Sequence, residues 1–219
     1  MTLEQTSRLR QGVYRLLGAG FAAPNDEVHD AAGEALDIFD ALGLYEFAFA
    51  LDVADAVTAL AGSRPADLEA AHVALFATGV HGVLCSPHES THLGNPRTGD
   101  VARIQSELRL AYRRYGLPIA DGEPDMVDHA ASELRAMSLL CGSEADLRAA
   151  GRPTADVVAR QTEFAFSHMF RWMPSFANQV IAARADRVYS SLAKGLVSLL
   201  DHERQWLAVL NLSVEAGAS

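Results

Sequence analysis

Glu123-Pro124-Asp125-Met126-Val127-Asp128-His129-Ala130-Ala131-Ser132-Glu133-Leu134-Arg135-Ala136-Met137 opens a stretch whose apolar residues run on to Cys141 at spacings of three and four rather than two. That is the period of an amphipathic helix. Pro124 suits a first helical turn, where its missing N–H is not needed, and Asp125 and Asp128 fall where the helix dipole favours carboxylates. On such a helix positions 125, 128 or 129, and 133 share a face. Glu123, Asp125, Asp128, His129 and Glu133 thus form a polar cluster suited either to acid–base work or simply to capping and turning the chain.

The same period extends in both directions. Thr2 with Gln5 forms a capping box ahead of an apolar face of Leu9, Val13, Leu16, Leu17 and Phe21, and Pro24 stops that helix. A second helix is expected through Val28, Ala32, Leu36 and Phe39 to Gly43, a third from Phe47 through Leu60 to Gly62, and a fourth bearing Leu68, Leu75 and Phe76 that stops by Gly79. A fifth, capped by Asp100, shows Val101, Ile104, Leu108 and Tyr112 and ends at Gly116-Leu117-Pro118. Beyond Cys141, residues 142–153 are a hinge or linker candidate. Val158, Phe164, His168 and Met169 mark a helix ending near Pro174, and a long apolar pattern from Phe176 to Leu207 completes the chain. The expectation is an all-α fold: one globular helical bundle over residues 1–219, with roughly ten helices.

Composition narrows the function. Of 219 residues 49% are hydrophobic, which excludes a disordered chain. Lys plus Arg number 18 against 28 Asp plus Glu, a formal charge of -10, so the basic surplus that a phosphate backbone demands is missing. Neither nucleic acid nor membrane insertion is expected. The first residues carry no secretory pattern, and Cys85 and Cys141 form no CxxC pair, which fits a reducing cytoplasmic compartment.

Two further groups of residues carry chemistry. The longest stretch without helical period, residues 80–99, holds His81, Cys85, His88 and His92 with Glu89 among them. Imidazole and thiolate at such spacings can ligate zinc, but no CxxC or HExxH element completes a set, so a helical metal-binding protein or metal-dependent enzyme is the alternative reading. No GxSxG, phosphate-cradling Gly-rich loop or dinucleotide fingerprint is present, so no catalytic residue, nucleotide or other cofactor is assigned. The aromatics Phe164, Phe166, Phe170, Trp172, Phe176 and Trp206 recur at helical spacing, as core or as the lining of a groove for a peptide.

Taken in order, three segments resemble the TorD/DmsD family of cytoplasmic redox-enzyme maturation chaperones. Leu75-Phe76 followed by Cys85-Ser86-Pro87-His88-Glu89-Ser90 is similar to the family's Leu-Phe and Pro-(aromatic)-Glu-Ser element. Glu123-Pro124-Asp125 with Asp128-His129, Glu133-Leu134 and Met137 is similar to its acidic-Pro, Asp-His and Glu-Leu signature. Phe164, His168, Trp172, Phe176, Tyr189, Leu192, Leu196 and Glu203 follow the order of its C-terminal pattern.

The resemblance implies a TorD-like bundle without catalytic activity; monomer or homodimer is left open, since a hinge at 142–153 would permit an exchanged helix between two protomers. It implies binding of the twin-arginine leader and apo form of a molybdoenzyme catalytic subunit of the dimethyl sulfoxide reductase type, with export held back until the cofactor is inserted. On that resemblance Glu123, Asp125 and Asp128 are expected to meet the arginines and His129 to add a hydrogen bond. Pro124 belongs to the same face, and Pro87, His88, Glu89 and Ser90 form the facing loop.

Overall fold

The computed structural model describes residues 1–25, 30, 32–34, 37, 48–79, 82–95, 98–118 and 126–217. The expected second helix, most of the 26–47 region, lies largely outside them, as do His81, Glu123, Pro124 and Asp125. Nine α-helices are present among the described residues: α1 Leu3–Phe21, α2 Ala48–Ala61, α3 Pro65–Phe76, α4 Glu89–Leu93, α5 Asp100–Tyr115, α6 Ala130–Ala149, α7 Ala155–Phe164, α8 Phe170–Ala183 and α9 Arg187–Gly217. A π-helical turn, Ala165–Met169, joins α7 to α8. The only sheet among the described residues is a two-residue hairpin, β1 Thr78–Gly79 with antiparallel β2 Gly82–Val83. None of the described helices is long and apolar enough to cross a membrane.

Local chemistry sets several boundaries. The Thr2 side chain accepts from the Gln5 N–H at 3.2 Å while Gln5 Oε1 accepts from the Thr2 N–H at 2.8 Å, so α1 begins on the expected capping box. Gly116 ends α5 at φ 71°, a left-handed conformation that glycine adopts without a Cβ clash. Gly99, not Asp100, occupies the cap position of α5. Asp100 instead stands in the first turn and accepts from Thr98 Oγ1 and from the Asn95 N–H.

Three expectations are corrected. α6 begins at Ala130, with His129 as its cap, rather than at Pro124, because residues 128–130 pair with residues 87–89 before the helix can start. The chain stays helical through Gly142 to Ala149, so the break in the 142–153 region falls only after α6, at the Gly151 turn (φ 64°). Pro174 does not end a helix but lies inside α8, one turn beyond the widened π turn. The long C-terminal pattern is divided at Arg184, which adopts φ 49° between α8 and α9.

The helices pack around one core. α1 lies along α6, α9 along α2 and α8, and the short α4 sits between α5 and α8. Tyr14, Phe21, Tyr112, Phe164, Trp172, Phe176 and Tyr189 are among its largest fully buried side chains. Phe21, Phe76 and Phe176 meet with ring centroids 5.3 to 6.3 Å apart, which ties α1, α3 and α8 together. Gly20 lets α1 approach α9, since a Cβ there would fall 2.8 Å from Leu192 Cδ2.

A buried ionic network crosses this core. Arg10 of α1 donates through Nε to both Glu203 oxygens at 3.0 and 3.1 Å, through Nη1 to Glu144 at 2.9 Å and through Nη2 to Gln161 at 2.6 Å. Arg148 donates to the other Glu144 oxygen at 2.8 Å. Burial pushes the Glu144 carboxyl upward, but Arg10, Gln161 and Arg148 outweigh it and hold the group below its ordinary value.

Candidate functional site

The three sequence elements meet at one place. Residues 87–90 and 127–130 lie antiparallel: the Ala130 N–H donates to the Pro87 carbonyl at 2.8 Å, and the Glu89 N–H to the Asp128 carbonyl at 2.9 Å. Asp128 is fully buried. Its Oδ2 accepts from the Ser90 N–H at 3.1 Å, and its Oδ1 accepts from Gln105 Nε2 at 3.3 Å with His88 Nδ1 at 3.4 Å. Burial alone would raise this carboxyl; hydrogen bonds from His88 and Ser90 prevail and bring it down to about 2.

His129 caps α6, its Nδ1 accepting from the Ala131 N–H at 3.1 Å. Burial, with His88 beside it, lowers the imidazole to about 3, so it is neutral. The His88 ring stands edge-on to it, centroids 5.0 Å apart.

Deeper in, Glu89 reaches His168 of the π turn, with Nδ1 at 2.9 and 3.2 Å from its two oxygens. Trp172 Nε1 donates to Glu133 Oε2 at 3.1 Å. Burial and the neighbouring Glu89 push the Glu133 carboxyl well above the usual range. Tyr112 closes this layer by donating to the Val127 carbonyl at 3.0 Å.

Above this network lies a cleft of about 330 Å³ lined by Ala23, Pro24, Glu69, His72, Val73, Phe76, Ala77, Pro87, His88, Met126 and His129. Most of the lining is apolar, which suits an apolar peptide segment rather than a small polar substrate.

The expected site residues therefore divide. Pro87, His88 and His129 line the cleft. Glu89, Ser90 and Asp128 face inward, buried and hydrogen-bonded. Asp128 is fully buried and accepts from the Ser90 N–H, so it holds the 87–90 loop in place. Glu123, Pro124 and Asp125 lie outside the described residues. Sequence reading missed Gln105 and the α3 wall of Glu69, His72 and Val73, although the helical spacing of 69, 72, 73 and 76 on one face was visible there.

Of the expected metal cluster, His81 lies outside the described residues. Among the described residues no three His, Cys, Asp or Glu side chains are grouped to hold an ion. His92 Nε2 lies 2.8 Å from the Ser86 carbonyl, His88 is turned to Asp128, and burial pushes the Cys85 thiol upward, away from the thiolate that a metal needs.

A family model described as nitrate reductase delta subunit matches residues 44–178, the span that contains all three meeting elements. The chain belongs to this family. The nitrate reductase delta subunit family is one of TorD-like redox-enzyme maturation proteins, chaperones of molybdoenzymes that act with nitrate reductase-type subunits. The fold is similar to the crystal structure of a protein described as a redox enzyme maturation protein from Archaeoglobus fulgidus, with TM-score 0.50 and 20% identity over 92% of this chain and 95% of that one. No curated protein matches the family member described here.

Proposed function

We propose that this chain is a non-catalytic maturation chaperone that receives the twin-arginine leader of an apo molybdoenzyme catalytic subunit in the α3–His88–His129 cleft, and holds back export until the cofactor is inserted. The observation that carries the reading is the meeting of residues 87–90, 128–133 and 168–172 in one buried network that supports a mostly apolar cleft. Family membership sets its biological frame.

The chemistry suits a leader. Its apolar stretch is complementary to Pro24, Val73, Phe76, Pro87 and Met126, and burial of that stretch supplies most of the affinity. Its basic end is attracted by a chain of net charge -10, which steers encounter more than it holds the complex. Glu123 and Asp125 precede cleft-lining Met126 in the chain and remain candidates to meet the arginines.

Co-purification of the tagged chain from its host, followed by mass spectrometry of bound protein, tests the proposal. The expected result is a molybdoenzyme catalytic subunit still carrying its uncut leader. Recovery of only mature, leader-free subunit, or of no such subunit, would overturn it.

A further inference from the structure

Within the cleft, one carboxylate stands apart. α3 presents Glu69, His72, Val73 and Phe76 to the cleft at helical spacings of three, one and three residues. Val73 is 57% exposed, an apolar side chain that nothing within the described chain covers. Glu69 is exposed and, among the described residues, is the only Asp, Glu, Lys or Arg in the lining and forms no ion pair or hydrogen bond. Asp67, on the same helix but not in the cleft, is by contrast engaged by Arg64 at 2.6 Å.

The His72 and His129 imidazoles do not compensate that charge. Burial lowers His72 against the pull of Glu69, and its Nε2 is buried without a hydrogen-bond partner, a poor place for a second proton. His129 is neutral for the reasons given above. Among the described residues no Lys or Arg lines the cleft. An apolar surface carrying an unpaired carboxylate is complementary to a segment whose apolar residues adjoin a cation.

We infer that Glu69 is a specificity-determining residue, which selects an arginine side chain in the peptide that occupies the cleft. The inference rests on the leader-binding reading above and names the group that discriminates within it. A guanidinium placed against Glu69 pairs with it bidentately, while the adjoining apolar residues cover Val73 and Phe76.

Calorimetric titration of the full chain with two synthetic peptides tests this. One carries two arginines ahead of an apolar stretch; the other has glutamine in place of both arginines. The wild-type chain is expected to prefer the arginine peptide, and Glu69→Gln to reduce that preference about tenfold, the effect of losing a charge-assisted hydrogen bond. Asp67→Asn, which removes the same charge two residues earlier on the helix and outside the cleft lining, is expected to leave the preference unchanged. A preference retained in Glu69→Gln, or lost equally in Asp67→Asn, would overturn the assignment of Glu69 while leaving leader binding in place. Failure of the wild-type chain to bind either peptide would overturn the leader-binding reading and this inference with it.

Discussion

Asp128 and His129, adjacent in sequence, are shifted downward for opposite reasons. The Asp128 carboxylate is stabilised in its charged form by donors from His88 and Ser90 despite burial, whereas the His129 imidazole is kept neutral by burial itself. Both make the fold sensitive to acid. For His129 the unfolded chain takes up a proton near the ordinary 6.5 and the folded chain only near 3, so stability falls as pH drops through that interval. For Asp128 the stabilisation is complete above the ordinary 3.8 and is lost as pH falls toward about 2. Urea midpoints measured from pH 7 to pH 3 should therefore decline steadily, and His129→Asn, which retains a cap acceptor, should flatten the slope between pH 6 and 4. An unchanged slope would remove His129 as its source. Asp128→Ala is expected to cost about 2 to 4 kcal/mol, because the Ser90 N–H and Gln105 amide lose their buried acceptor.

At five residues α4 is too short to hold itself together, since helix nucleation is unfavourable at that length. Its order comes from outside: Asp128 at its first turn, the Pro87–Ala130 hydrogen bond beside it, and His168 beneath Glu89. Replacing Glu89 by Ala removes the His168 contact and should lower amide exchange protection at Ser90 and Gly94 far more than in α1 or α9; equal protection across the chain would show that α4 is anchored otherwise. This dependence also explains what could be read from sequence. The amphipathic helices were legible because period and caps are local properties, as Thr2 with Gln5 illustrates. The start of α6 was not, since the helical pattern around Asp128 gives no sign that its backbone is needed by Glu89, 39 residues earlier. Motif order brought residues 87–90 together with 128–129, but gave no sign of Gln105 or of the α3 wall. Nor were the residues' roles legible, because nothing local distinguishes the buried, occupied Asp128 from the exposed, unpaired Glu69.

Across the whole molecule, Arg10 links α1 to α6, α7 and α9 through Glu144, Gln161 and Glu203, joining residues up to 193 positions apart. A trace of this lay in the sequence, where Arg10 precedes Tyr14 and Leu17 at spacings of four and seven on the apolar face of α1. Three charged groups at 0 to 2% exposure cannot be relieved by water, so their stability depends on one another. Arg10→Met leaves Glu203 without a cation and Glu144 with Arg148 alone, and is expected to cost about 3 to 5 kcal/mol in urea unfolding. Adding Glu203→Met to Arg10→Met removes the stranded charge and should recover part of that loss, a positive coupling in a double-mutant cycle. Because the pair is sealed from solvent, the loss should barely change between low and high salt, unlike that of an exposed pair such as Arg114 with Glu163. A cost below about 1 kcal/mol that shrinks further in salt would mean that water reaches Arg10 and that the helices are joined by apolar packing alone.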